Sequence, residues 1–306
     1  MTKHSRLARS AGLLVIIFFT KCAFARTYAL PSNGDALIGK SEYITTSSGE
    51  TLINIAQRFD VGLNGIVDAN LSINPAQPLP HGIRIHIPTA FLIPAQKQKG
   101  IIINLPEMRM YYFPTNSHGI VMTYPIGIGR VGKTIPIANT AVLGKRMNPT
   151  WTAPKDIREF NEQQGITLPI TMPAGPDNPL GPYAIYLKIP TYLIHSTIIP
   201  ESVGKRASFG CIRMHEEDIK DFYPLVTSGT PVSIVNLPSK TGWKGNSLFL
   251  ENHDALQEHP DEGYNGMVNA LYHAGRGRAT LVDWQLVSFL AEDHDGLPHE
   301  VGFKVN

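Results

Sequence analysis

At 306 residues, with 42% hydrophobic and 17% charged residues, the chain has the length of about two folded domains and the makeup of one that buries a core, which excludes a short binding peptide and a disordered tail. Its 27 glycines and 24 prolines interrupt the pattern too often for a coiled coil or helical bundle. The formal charge of +2 and the two cysteines, Cys22 and Cys211, leave no disulfide framework and no four-cysteine zinc site.

Lys3, Arg6 and Arg9 precede the apolar run 11–19, which is followed by the small-x-small sequence Ala23-Phe24-Ala25. That order predicts a cleavable secretory signal peptide over residues 1–25. The run is too short for a membrane span, which needs about 20 apolar residues. Cleavage would remove four bases and Cys22, leaving an exported chain near −2 with Cys211 as its one thiol.

Residues 42–88 read as strand, helix, helix, strand. Tyr43-Ile44-Thr45 is strand-like, and the hydroxyls of Ser48 and Thr51 suit a helix cap before Leu52. Leu52, Ile55, Ala56 and Phe59 then repeat at helical spacing, Gly62 ends that helix, and a second short helix runs near Leu63 to Ala69. Ile83 to Ile87 alternates as a closing strand. Gly49-Glu50-Thr51-Leu52, Ile55-Ala56, Phe59, Ala69-Asn70 and Ile85-His86-Ile87-Pro88 together resemble a LysM module. The resemblance implies binding to the N-acetylglucosamine-containing glycan of peptidoglycan. A spacer without glycan affinity stays open as the alternative, because a fold does not fix a function.

Residues 89–100, with Pro94 and the polar run Gln96-Lys97-Gln98-Lys99-Gly100, read as a linker. Short β-rich stretches follow over 101–105, 109–113, 120–126, 183–188, 192–195 and 232–235, so residues 101–237 are expected to form a mainly β, sandwich or barrel-like domain. The Pro-, Gly- and Asn-rich stretch 145–182 is too long for an ordinary connection and is a candidate lid or substrate loop. One helix is expected after Glu216, Glu217 and Asp218, where Ile219, Phe222, Tyr223 and Val226 keep helical spacing. From Lys240 the composition changes. Residues 240–306 hold ten acids against five bases and five of the eleven histidines. They read as a small helical C-terminal extension with helices near 265–273 and 281–290. It is a candidate surface for a protein partner, and its deletion is expected to leave the chemistry of the preceding domain intact. The overall expectation is a multi-domain chain: a small α+β module, a mainly β catalytic domain and this extension.

Cys211 sits in Ser208-Phe209-Gly210-Cys211-Ile212-Arg213-Met214, just ahead of the expected helix. Helix amides and Arg213 would favour its thiolate. His195 ends an apolar strand sixteen residues earlier, where an imidazole facing a thiol can take its proton and later return it to a leaving amine. His215 is the rival base. Backbone amides of Gly210 and Cys211 can form an oxyanion hole whatever side chain stands at 209.

Ile194-His195-Ser196-Thr197, then Ser208-x-Gly210-Cys211-Ile212-Arg213-Met214 and Asp218, resemble the active-site signature of the YkuD-type L,D-transpeptidases. The likeness reaches upstream through Asn104 to Phe113, Tyr124 to Gly129, Pro149 to Thr152 and Pro173 to Gly181, and is closest to the Gram-negative periplasmic branch. The family often has His where Phe209 stands and Gly where Ser196 stands. The resemblance implies a Cys211 nucleophile, a His195 base and a peptidoglycan tetrapeptide donor that loses D-Ala, with no cofactor and no metal. It also implies an acceptor that is another stem peptide, a lysine of an outer-membrane lipoprotein, or water. Arg213, Ser196, Ser208, Trp151 and Asn178 are the candidate substrate contacts, Arg213 through its guanidinium fork. Two other functions stay open: a decayed, purely peptidoglycan-binding wall protein, and a hydrolytic cell-wall cysteine peptidase. No basic patch supports nucleic-acid binding.

Overall fold

The computed structural model describes residues 26–117 and 119–305. The expected signal peptide and Cys22 lie outside the described residues. At the centre is a sheet of nine strands in the order Arg26–Ala29, Ile120–Pro125, Arg109–Phe113, Gly100–Asn104, Pro231–Val235, Ala138–Met147, Tyr183–Leu187, Leu193–Ser196 and Ile212–Met214. Two neighbouring pairs are parallel, Gly100–Asn104 with Pro231–Val235 and Leu193–Ser196 with Ile212–Met214; the others are antiparallel. The long strand Ala138–Met147 pairs with Pro231–Val235 through its first half and with Tyr183–Leu187 through its second. A register shift between Val142 and Gly144 lies where it changes partner, and such an irregularity bends a strand and lets the sheet curl. Ile101, Ile103, Met110, Tyr124, Ile185, Ile194, Ile212 and Phe222 fill the core.

The helix expected beneath this sheet forms over Glu216–Phe222 and buries Ile219 and Phe222. It is shorter than its apolar spacing suggests, passing into a 3-10 turn at Tyr223–Leu225. Pro224 is the cause, since it has no N–H with which to continue the α-helical ladder.

Residues 42–87 form two antiparallel strands, Glu42–Thr45 and Arg84–Ile87, around helices Leu52–Phe59 and Leu63–Asp68. Thr51 caps the first helix in a reciprocal box with Asn54. That helix ends at Asp60, in left-handed conformation (φ 51°), and Gly62 is instead the N-cap of the next. The stretch read as a linker is largely not one. Ala90–Leu92 is a strand paired with Leu37–Gly39, and Phe91, Leu92 and Ile93 are buried with Ile102 and Tyr111. Four consecutive apolar residues find more burial on the sheet than a solvated connection offers, so only the polar residues after Pro94 behave as a loop.

The C-terminal extension is α+β rather than helical. Its strands run in the order Ser239–Lys244, Ser247–Asn252, His299–Lys304 and Thr280–Val282, and helices Tyr264–Gly275 and Trp284–Asp293 pack Met267, Leu271, Val287 and Leu290 on one face. The sequence signal lay in Leu248 and Leu250, alternate buried residues of a hairpin closed at Gly245 (φ 59°).

The extension is also tied to the catalytic domain by a buried polar cluster. Lys240 Nζ lies 2.9 Å from Glu107 Oε1 and 2.7 Å from Glu251 Oε1, and it donates to Leu92 O at 2.8 Å and to Tyr111 Oη at 2.9 Å. His253 Nε2 meets the same Glu251 oxygen at 2.8 Å. Glu107, Glu251 and His253 lie close enough together to suggest metal ligands, but the Lys240 ammonium occupies the space between the two carboxylates. Deleting residues 240–306 would therefore take from buried Glu107 its nearest counter-charge and leave it Arg109 Nε at 3.7 Å.

Candidate active site

His195 and Arg213 face each other across the parallel pair Leu193–Ser196 and Ile212–Met214. Side chains two residues apart on a strand share a face, so Cys211, Arg213 and His195 emerge on the same side of the sheet. All three line a cleft of about 920 Å³, together with Arg130, Trp151, Tyr192 and Phe209.

His195 is buried, and its Nδ1 lies 2.5 Å from the carbonyl oxygen of Ser196. A carbonyl only accepts, so Nδ1 carries the proton and Nε2 is left as an acceptor. Burial lowers the imidazole pKa to about 4; the Ser196 carbonyl and, more weakly, the Leu180 backbone oppose it only partly, and Arg213 adds a smaller push down. Burial also raises the Cys211 thiol, against weaker help from the Leu193 amide and Arg213. The helix does not assist. Strand Ile212–Met214 separates Cys211 from Glu216–Phe222, and helix-end electrostatics fade beyond the first turn. The resting pair is thus a neutral imidazole and a neutral thiol, rather than the thiolate that the sequence suggested.

The thiol points to the carbonyl of Thr191, with Sγ 3.7 Å from the oxygen. Thr191 has φ 74°, rare for a β-branched residue. It follows Pro190 in a tight turn closed by Tyr192 N donating to Ile189 O at 3.3 Å.

Several sequence candidates spend their polar atoms on the backbone, and of these only Ser208 also lines the cleft. Ser208 Oγ donates to Cys211 O at 2.6 Å and accepts from Gly210 N at 3.0 Å. The Gly210 amide is therefore spent, and of the expected oxyanion pair the Cys211 amide remains. Gly210 itself has φ 116°, and a Cβ there would meet the Tyr192 ring at 2.7 Å. Ser196 Oγ donates to Leu180 O at 2.9 Å and accepts from Tyr183 N at 3.1 Å. Asn178, buried, donates to Pro149 O at 2.9 Å and Pro173 O at 3.1 Å and accepts from Leu180 N at 3.0 Å. It pins the long 145–182 segment to itself. His215 does not line the Cys211 cleft; it borders a separate cavity of about 1100 Å³ with Asn54, Gln57 and Asp60.

Arg213 and Trp151 do line the cleft. Arg213 Nε is buried, with no hydrogen-bond partner among the described residues. Sequence reasoning missed Arg130 and Phe160. The Arg130 guanidinium stacks 3.6 Å from the Phe209 ring centre and 4.2 Å from that of Phe160, which lies on helix Lys155–Glu162 of the long segment. Cation–aromatic contacts between residues 30 and 79 positions apart leave no local sequence pattern.

Residues 98–234 match the YkuD profile of the L,D-transpeptidase catalytic domain. The probable L,D-transpeptidase YcfS of Escherichia coli K12 is 36% identical over 308 residues, 98% of this chain and 96% of that protein. The probable L,D-transpeptidase YbiS of the same strain is 36% identical over 250 residues, 80% of this chain and 81% of its own. Among solved structures, the catalytic domain of an Enterococcus faecium L,D-transpeptidase aligns with 46% of this chain and 99% of its own at 20% identity and a TM-score of 0.35. The 36% identity to YcfS over nearly the whole of both chains, together with the matched catalytic domain, carries the conclusion: this chain belongs to the L,D-transpeptidase family.

Proposed function

We propose that the protein is a periplasmic L,D-transpeptidase acting on peptidoglycan stem tetrapeptides through a thioester on Cys211. The observation that supports it best is His195, held with Nε2 as an acceptor in the same cleft as the thiol. In this reading His195 Nε2 takes the thiol proton as Cys211 Sγ attacks the carbonyl of the third stem residue, meso-diaminopimelate. The Cys211 amide stabilises the oxyanion. The tetrahedral adduct collapses, the C–N bond to D-Ala breaks, and the amine leaves with the proton from His195. An acceptor amine then gives its proton to His195 and attacks the thioester, and the thiol is restored. A stem-peptide amine yields a 3→3 cross-link, a lipoprotein lysine yields an anchored lipoprotein, and water yields a trimmed stem.

The module at 42–88 serves, in this proposal, as a LysM-type glycan binder that brings the cleft to the wall, and residues 1–25 direct export. The two-helix, two-strand order of 42–87 supports the first role. Purified protein and tetrapeptide muropeptides test the chemistry: free D-Ala and a mass increase confined to the Cys211 peptide are expected, and neither should occur with Cys211→Ala. Absence of both from folded, reduced wild type would refute the reading. Muropeptide profiles of a deletion strain then distinguish the acceptors, through loss of 3→3 dimers or loss of lipoprotein-bearing fragments.

A further inference from the structure

We infer that Arg130 and Arg213 form a two-carboxylate receptor around the Cys211 thiol, so that the donor is selected as a peptide bearing two free carboxylates. The inference rests on the proposed function and adds Arg130 as a specificity-determining residue.

Arg130 is built into the nucleophile's own segment: its amide donates to Ser208 O at 2.9 Å, and its carbonyl accepts from Lys133 N at 2.9 Å. The guanidinium rests on Phe209 and Phe160. Stacking uses the planar faces of the group and leaves its edge N–H donors for a planar anion. No hydrogen bond or ion pair engages that side chain among the described residues. The acid nearest to hand, Asp156, is taken by Lys133 Nζ at 2.7 Å and by the Ile157 amide at 3.0 Å. Arg213 repeats the situation from the floor of the cleft, its buried Nε unpartnered.

Two guanidiniums lining one cleft repel each other; burial and, more weakly, Arg130 push the Arg213 guanidinium down, against an opposing pull from Cys211. An anionic ligand removes both penalties, and charge-assisted bidentate pairs are the strong kind. A donor with a C-terminal carboxylate and a second carboxylate on a side chain or branch supplies both partners. Phe209 acquires a purpose in this arrangement, since it is the seat that holds Arg130 over the cleft.

The test uses full-length protein and two stem tetrapeptides that differ only in whether the side-chain carboxylate of the third residue is free or amidated. For wild type, amidation should raise KM about 10- to 100-fold, the worth of one charge-assisted pair. Arg130→Gln should raise KM by a similar factor for the diacid and leave the amidated peptide nearly unchanged; Arg130→Lys, which keeps the charge and loses the fork, should recover only part. Calorimetric binding to Cys211→Ala, with and without Arg130→Gln, reads the same selectivity without turnover. If Arg130→Gln weakens both peptides equally, Arg130 only holds the structure and the inference falls while the proposed reaction stands. If wild type releases no D-Ala but binding still prefers the diacid through Arg130, the receptor stands and the reaction falls. If neither turnover nor binding occurs, both fall.

Discussion

The Nδ1 of His195 lies 2.5 Å from the carbonyl oxygen of Ser196, and this contact fixes which nitrogen is left to act. With the imidazole lowered to about 4 and the thiol raised by burial, both groups are neutral between roughly pH 5 and 8. Iodoacetamide should therefore alkylate Cys211 at a rate that climbs with pH up to and beyond the ordinary thiol range, without the flat acid-side plateau of a preformed ion pair. Turnover should fail on the acid side only near pH 4. Replacing His195 with Gln should lower turnover by about 10²- to 10⁴-fold. Stability follows the same shift. Unfolded His195 binds a proton below 6.5 and the folded residue only below about 4, so stability falls by roughly 3 kcal/mol as pH drops through that window. The variant should melt with a shallower acid dependence, and an unchanged slope would place the responsible group elsewhere.

Thr191 bears backbone strain where the thiol finds its acceptor. A β-branched residue at φ 74° costs on the order of 1–3 kcal/mol, and glycine removes that cost while adding chain entropy to the unfolded state. Because Thr191 is exposed, little packing is lost. Thr191→Gly should stabilise the protein by up to about 1 kcal/mol in urea unfolding. A loss of stability greater than that would mean the threonine side chain has contacts that the strain argument ignores.

Lys240 is the point at which the C-terminal extension becomes structural. Burial would push Glu107 up, yet Lys240, with His253 and Arg109, holds its carboxyl at about 2. Lys240→Met leaves two buried carboxylates without their shared cation and should cost about 3–5 kcal/mol. Truncation after Pro238 should lower the melting temperature further, because the Leu92 amide then loses the Glu251 carboxylate that accepts from it at 2.5 Å as well. Thermal unfolding of both proteins checks this, and a truncated chain that melts like the full one would disprove the coupling.

Particular residues explain what the sequence revealed and what it hid. Cys211 and His195 were legible because their chemistry is written into short runs at strand ends, and the module at 42–87 because helical and alternating periods are local. Lys240 was not legible: lysine in a charged tail reads as surface, and its burial depends on Glu107, 133 positions away. Nor was the spent Gly210 amide, which depends on a serine hydroxyl turning inward. The strand Arg26–Ala29, paired in register with Ile120–Thr123, follows immediately on the expected cleavage point and has too little length to show a period.

Phe209 anchors the segment that covers the cleft. Helix Lys155–Glu162 buries none of its residues, so intrinsic stability is slight for so short a helix. Its attachments are the Phe160–Phe209 edge contact at 5.3 Å, the Arg130 stack and the exposed pair Lys133–Asp156. An exposed ion pair contributes little, and aromatic and cation–aromatic contacts are worth roughly 0.5–2 kcal/mol each. Phe209→Ala removes the edge contact and the ring at 3.6 Å that holds Arg130 against Phe160, so amide hydrogen exchange over 155–162 should accelerate by about 10-fold, with the core strands around Ile101 and Ile185 unchanged. Phe209→His at pH 8 should keep much of the stack, and at pH 5 the imidazolium beside Arg130 should repel it and mobilise the helix. Exchange over 155–162 that is insensitive to residue 209 would show that Asn178 and the Trp151–Thr152 pairing with Thr171–Met172 hold the segment on their own.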